Sequence, residues 1–168
     1  MREENGNVII YESDERSRNI KTIYEDGEES FQYNDRNQIT LYIDKNGNKT
    51  HYKYDEKGNR IKIINPLREE KEYIYDREGN LLSMKIQGQE KRRNTYDKKG
   101  NLIKSTDSLG RSIEFLYNEG KLAVERIEPD KGRWETEYDQ RGNIKVMRNP
   151  FGEETRFTYD NLNRIIKK

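Results

Sequence analysis

Tyrosine returns every 21 residues in this chain, at Tyr33, Tyr54, Tyr75, Tyr96, Tyr117, Tyr138 and Tyr159, without slippage over seven copies. Four copies carry a longer signature, Tyr-Asp-x-x-Gly-Asn: YDEKGN at 54–59, YDREGN at 75–80, YDKKGN at 96–101 and YDQRGN at 138–143. Asp55, Asp76, Asp97, Asp139 and Asp160 follow five of the tyrosines, while Asn34 and Asn118 follow the other two. A fixed period of this length means one small unit used many times, and it takes precedence over any local reading.

Within the unit the alternation has period two. In KTHYKYD, Thr50, Tyr52 and Tyr54 share one face while His51 and Lys53 take the other. Phe31, Tyr73, Phe115 and Phe157 precede their own lattice tyrosines in the same register. Aromatic alternation bounded by turn residues reads as a half-buried strand. QITLYI, RIKII, LLSMKI and NIKVM supply the partner strands.

Turns separate them. After Tyr-Asp, Gly58, Gly79, Gly100 and Gly142 suit the positive-φ residue that closes a type I turn, and Asp suits its first position. Asn37 and Asn163 hold the glycine slot elsewhere, and asparagine tolerates that conformation well. A second turn falls half a period later, at DKNG, NPLR, DSLG and NPFG; Pro66, Pro129 and Pro150 each lie twelve residues after a lattice tyrosine. The unit at 117–138 reads as shifting its turns by one or two residues, because Gly120 and Gly132 lie off the lattice. The expected fold is all-β: an antiparallel meander of about sixteen short strands, forming a curved open sheet or partial β-shell. The tyrosines from Tyr54 to Tyr138 are expected to be mostly buried on one face, with Ile and Leu between them.

Composition narrows the function. Only 30% of residues are hydrophobic, 39% are charged and the mean hydropathy is −1.34. Such values favour disorder, but 33 basic residues nearly cancel 32 acidic ones and the apolar residues are periodic, so an ordered chain is expected. Near-neutral charge gives no reason to expect nucleic acid, and no apolar run is long enough for a membrane span. The start MREENGNVIIY is charged and acidic, unlike a signal peptide. Without cysteine there is no disulfide framework or thiolate metal site.

The YDxxGN units, the half-period turns and the 21-residue spacing resemble the RHS, or YD-repeat, family over roughly 30–168, read as regular repeats; residues 1–29, with Gly6 and Gly27, read as degenerate repeats or an N-terminal cap. The resemblance implies a secreted or cell-surface protein, bacterial and associated with polymorphic toxins. It also implies repeats wound into a β-shell that encloses a toxic polypeptide, with teneurins as animal relatives. The core segment whose aspartates release the toxin in that family has no counterpart here.

Candidate sites weigh towards structure. His51, the only histidine, faces away from Tyr52 and Tyr54, and Trp134 lies on the Tyr138 strand face. The repeated aspartates each have a turn to cap, whereas paired catalytic carboxylates need unequal environments. No catalytic, cofactor-binding or metal-binding residue is assigned and no cofactor is expected. The reading is a non-enzymatic structural module, part of a shell that encloses or presents a partner polypeptide. The alternative is a glycan-binding or adhesion surface. The expected partner is protein: further repeats, an enclosed polypeptide, or another copy paired through strands near 8–13 and 164–168. Carbohydrate belongs to the alternative.

Overall fold

In the computed structural model, residues 8–168 are described, and among them are seventeen strands and no helix. This is the all-β antiparallel arrangement of about sixteen short strands that the sequence led us to expect. The chain divides into two compact units, Met1–Glu90 and Lys91–Lys168. Residues 1–7, which include Gly6 of the proposed N-terminal segment, lie outside the described residues.

The first unit is a meander of β1 (Ile10–Ser13), β2 (Asn19–Tyr24), β3 (Gly27–Tyr33), β4 (Ile39–Ile43), β5 (Lys49–Tyr54), β6 (Arg60–Ile64), β7 (Glu70–Tyr75) and β8 (Leu81–Ile86). Each strand pairs antiparallel with the next. From β9 (Gln89–Tyr96), most of which belongs to the second unit, β10 (Leu102–Asp107), β11 (Ser112–Tyr117), β12 (Ala123–Ile127), β13 (Arg133–Tyr138), β14 (Ile144–Arg148) and β15 (Glu154–Arg156) follow in the same antiparallel order. A last hairpin joins β16 (Thr158–Tyr159) to β17 (Ile165–Lys167). Among the described residues, β1 pairs with β2 and β15 with β14, with no further strand beside either.

Two kinds of hairpin alternate. Those made by the half-period turns keep a regular ladder, as in Leu41↔His51, Tyr42↔Thr50 and Ile43↔Lys49. Those that end on a lattice tyrosine slip by one residue at their last pair: Lys53 faces Lys62, but Tyr54 faces Arg60, leaving Ile61 as a bulge. The same slip occurs at Tyr33, Tyr75, Tyr96, Tyr117, Tyr138 and Tyr159. Such a bulge leaves one residue outside the ladder and strengthens the local twist.

There is little core. Thr22, Ser83 and Val146 are the only buried residues among those described, at 3%, 7% and 4% exposure. The lattice tyrosines are partly covered rather than buried, which corrects the expectation for Tyr54 to Tyr138. The physical reason is that, among the described residues, strands within a unit pack against their sequence neighbours rather than against a second layer, so the rings are shielded by those neighbours. Those neighbours are cross-strand partners: Tyr52 faces Ile63, Tyr73 faces Met84, and Phe31 stacks on Tyr42 with centroids 5.3 Å apart. Pairs of this kind contribute roughly 0.2–1 kcal/mol each. The opposite face carries charge, as where Lys62 reaches Glu70 at 2.6 Å and Glu72 at 3.2 Å. His51 is exposed there, whereas Trp134 is partly covered, with the Arg126 guanidinium 5.4 Å from its ring centre.

The turns keep the lattice even where glycine leaves it. Positive φ occurs at Asn37 (61°), Gly58 (92°), Gly79 (91°), Gly100 (81°), Lys121 (62°), Gly142 (83°) and Asn163 (59°). In the unit at 117–138 the left-handed residues are Lys121 and Lys131, not Gly120 and Gly132. The turns there are therefore not shifted, contrary to the sequence reading. Hairpin register holds the slot in place, and lysine accepts a left-handed conformation that costs about 1–2 kcal/mol for a residue with a Cβ.

Candidate functional site

The most constrained chemistry of the chain is in the repeat turn. Asp55 Oδ1 accepts the backbone N–H of Lys57 at 2.9 Å and of Asn59 at 2.8 Å, while its Oδ2 accepts the Asn59 side-chain amide at 2.9 Å. Asp76, Asp97 and Asp139 make the same three bonds, with Asn80, Asn101 and Asn143 as side-chain donors. Asp44 makes them at a half-period turn with Asn48. Hydrogen bonds to the charged form hold these carboxyls below the usual range. The side-chain amide of the asparagine is the largest cause at Asp44, Asp55, Asp76 and Asp139, and its backbone N–H is the largest at Asp97. A carboxylate committed to three donors is a poor general base.

Sequence reasoning left the closing asparagine of YDxxGN without a role, and the geometry supplies one. Where the turn opens with Asp, the residue four places on is a donor: Asn48, Asn59, Asn80, Asn101, Asn143, or an arginine at Arg18, Arg111 and Arg164. Where it opens with Asn34, Asn65 or Asn149, the fourth residue is an acceptor, Gln38, Glu69 or Glu153; the turn at Asn118 is the exception, with Leu122 in that place. The signal was in the sequence, as a donor–acceptor match across four residues. The rule also reaches Asp14, whose turn has Ser17 at φ 59° and Arg18 on its Oδ2. That copy escaped the 21-residue count because it sits 20 residues before Asn34.

The tyrosine completes the unit from the next repeat. The hydroxyl of Tyr54 donates to the carbonyl of Ile39 at 2.8 Å, fifteen residues earlier. The β4–β5 ladder stops at Leu41↔His51, so that carbonyl has passed the last strand pair. Tyr75 donates to Arg60 O (3.2 Å), Tyr117 to Leu102 O (2.9 Å), Tyr138 to Ala123 O (2.8 Å) and Tyr159 to Ile144 O (2.9 Å). Tyr33 makes the bond to Asn19 O at 2.7 Å. Each acceptor directly precedes a bulge residue. A backbone carbonyl away from the ladder needs a partner, and a phenol is long enough to reach it while its ring shields the strands. Burial pushes the hydroxyls of Tyr54, Tyr75 and Tyr117 up from the ordinary tyrosine range.

Long side chains link successive turns in the first unit. Gln38 Nε2 donates to Gly58 O at 2.8 Å, Arg36 donates to Glu56 O and Lys57 to Arg77 O. Residues at the variable places of the turn thus tie one repeat to the next. Away from the lattice, Glu29 accepts from both Tyr24 (3.1 Å) and Tyr42 (2.7 Å). That bond, with burial, pushes Tyr42 up to about 12.

The surface concavities carry no reactive constellation. One of about 600 Å³ runs between Tyr138, Leu122 and Val146, and its acids Glu135 and Glu137 face Arg148. Among the described residues, no group of three or more His, Asp or Glu side chains is placed to hold a metal ion. No helix of the described residues is long and apolar enough to cross a membrane.

Known proteins share this arrangement. The family described as Teneurin YD-shell matches residues 60–168, and the RHS Repeat family matches residues 33–70. No curated protein matches the chain. Among solved structures, the crystal structure of TcdB2-TccC3 is similar with a TM-score of 0.74 and 16% identity, over 95% of this chain and 10% of that one. TcdB2-TccC3-Cdc42 gives the same values. The Photorhabdus luminescens Tc holotoxin pore, with a substitution in TccC3, gives a TM-score of 0.69 at 16% identity over 89% of this chain and 9% of that one. The chain thus spans about a tenth of the length of these toxin chains. Seven phased tyrosines, their locked turns and the family match over more than half of the length lead to one conclusion: this chain belongs to the YD-shell family of RHS-repeat proteins.

Proposed function

We propose that this chain is a non-enzymatic wall segment of a secreted or cell-surface β-shell, and that the shell encloses or presents a partner polypeptide. The observation that carries the reading is the use of the signature's own polar groups. Both oxygens of the repeat aspartates and most of the lattice hydroxyls are engaged inside the turns and rungs. A repeat that uses its reactive groups in this way makes surface, not chemistry. The toxin-complex structures of similar fold support a protein as the partner. The glycan reading has less support, because the hydroxyls that would meet a sugar already donate to carbonyls.

Limited proteolysis of the gene product that carries this chain tests the enclosure. A partner segment held inside should survive protease until the repeats are unfolded, and then be cut. A segment cut at the rate of an unfolded control, with the repeats intact, would refute the enclosure while leaving the structural role standing.

A further inference from the structure

Along β5, Lys49, His51 and Lys53 take alternate positions and so share one face, and all three are exposed. Successive members stand about 6.8 Å apart, two residues of extended chain. A groove of about 520 Å³ runs beside them, and Ile64, Pro66 and Arg68 line it too. Ile64 is the cross-strand partner of His51, so the middle of the groove is partly aliphatic. No acid lines it, whereas Glu135 and Glu137 answer Arg148 in the concavity of the second unit. The acids nearby are engaged elsewhere: Glu70 and Glu72 hold Lys62, Glu69 takes the Asn65 amide, and Asp44 is locked by Asn48. Among the described residues, none of the four basic side chains of the groove has an ion-pair partner. Arg68 also holds the left-handed slot of its half-period turn, at φ 63°, where Gly47, Gly110 and Gly152 stand in three other turns and Lys131 in a fourth. Turn geometry alone favours glycine there, and the arginine instead brings a fork of donors to the groove.

We infer that this groove is a docking site for an extended acidic segment of a partner polypeptide, read as acid, spacer, apolar, spacer, acid. An extended peptide returns a side chain to the same side every second residue, which is the spacing of Lys49, His51 and Lys53. The two carboxylates then meet Lys49 with Arg68 at one end and Lys53 at the other. The apolar residue between them covers Ile64 and Pro66. A planar guanidinium holds a carboxylate through two parallel bonds, so Arg68 sets the orientation of its end. A polyanion fits less well. With a net charge of +1 the chain exerts no long-range pull on a nucleic acid or a sulfated glycan, and the aliphatic middle offers a phosphate or sulfate no partner. The inference rests on the reading of the chain as a wall that holds a partner polypeptide, and it names the chemistry of the segment held.

The test uses the 168-residue chain and a labelled synthetic peptide with Asp, Leu and Asp at alternate positions between Thr spacers. Fluorescence anisotropy should show saturable binding, and amide resonances of residues 49–53 should shift on titration. Raising the salt to about 1 M, where the Debye length is about 3 Å, should weaken the binding. Arg68→Gly should weaken it about threefold, as expected for one exposed ion pair, while leaving the melting temperature unchanged or higher, since glycine suits the slot. Lys49→Glu, which sets like charges together, should weaken it about tenfold. No saturation up to the solubility limit, equal binding of a peptide with Asn in place of both Asp, or Arg68→Gly binding as wild type would each overturn the inference. Tighter binding of single-stranded oligothymidylate or dextran sulfate than of the peptide would overturn it too, by assigning the groove to polyanions. Enclosure is read separately by proteolysis. A protected partner segment beside a peptide that fails to bind removes the groove alone, and a bound peptide beside a freely cut segment removes the enclosure alone.

Discussion

Replacing Tyr54 with phenylalanine removes one oxygen and leaves the ring. In the intact chain that oxygen donates to Ile39 O at 2.8 Å, where the β4–β5 ladder has already ended. A net intramolecular hydrogen bond contributes about 0.5–1.5 kcal/mol. Tyr54 is partly exposed, so water can replace some of the lost bond, and about 1 kcal/mol is the expected cost. In a cooperative unit of this size that lowers the melting temperature by roughly 4–8 °C. Tyr54→Ala also returns about 100 Å² of ring surface to water, which adds about 2.5 kcal/mol. Thermal and urea unfolding followed by circular dichroism should therefore rank wild type above Tyr54→Phe and Tyr54→Phe well above Tyr54→Ala. Tyr11→Phe is the control, since Tyr11 is 53% exposed on the edge strand. If Tyr54→Phe melts with wild type and with that control, the carbonyl needs no phenol and the rung is not a structural bond.

The donor–acceptor rule predicts that Asn65→Asp, which sets a carboxylate against Glu69, lowers stability by about 1 kcal/mol, and that adding Glu69→Asn restores it; two independent losses in urea titrations would contradict the rule. The turn aspartates have folded pKa values below their unfolded ones, so their contribution is fully present above the unfolded pKa, near 4. It is lost as pH falls through the lower folded values, and melting temperatures should hold steady near neutrality and drop below about pH 4; a curve flat to pH 2 would refute this. Lys121→Gly relieves a left-handed lysine at φ 62° and should raise stability by roughly 0.5 kcal/mol, whereas a loss in the same melt would show that the lysine is not strained.

The sequence alone determined the unit. A 21-residue period, two-residue alternation and turn residues at fixed offsets specify strand, turn, strand and turn, because each is a local preference repeated in phase. It also determined the turn lock, since Asp55 and Asn59 lie four residues apart and meet within one hairpin. The tertiary structure decided the rest. The carbonyl that accepts most of the lattice hydroxyls lies fifteen or fourteen residues back and comes free only because a bulge ends the ladder early; that depends on register between strands, which no local pattern carries. Register likewise kept Lys121 and Lys131 in left-handed slots after their glycines had moved one place away. Burial was decided there too: Tyr54 was expected to be mostly enclosed, yet it is only partly covered. Alternation says which face a ring takes, while a second layer, which no residue in the strand encodes, says whether water is excluded from it.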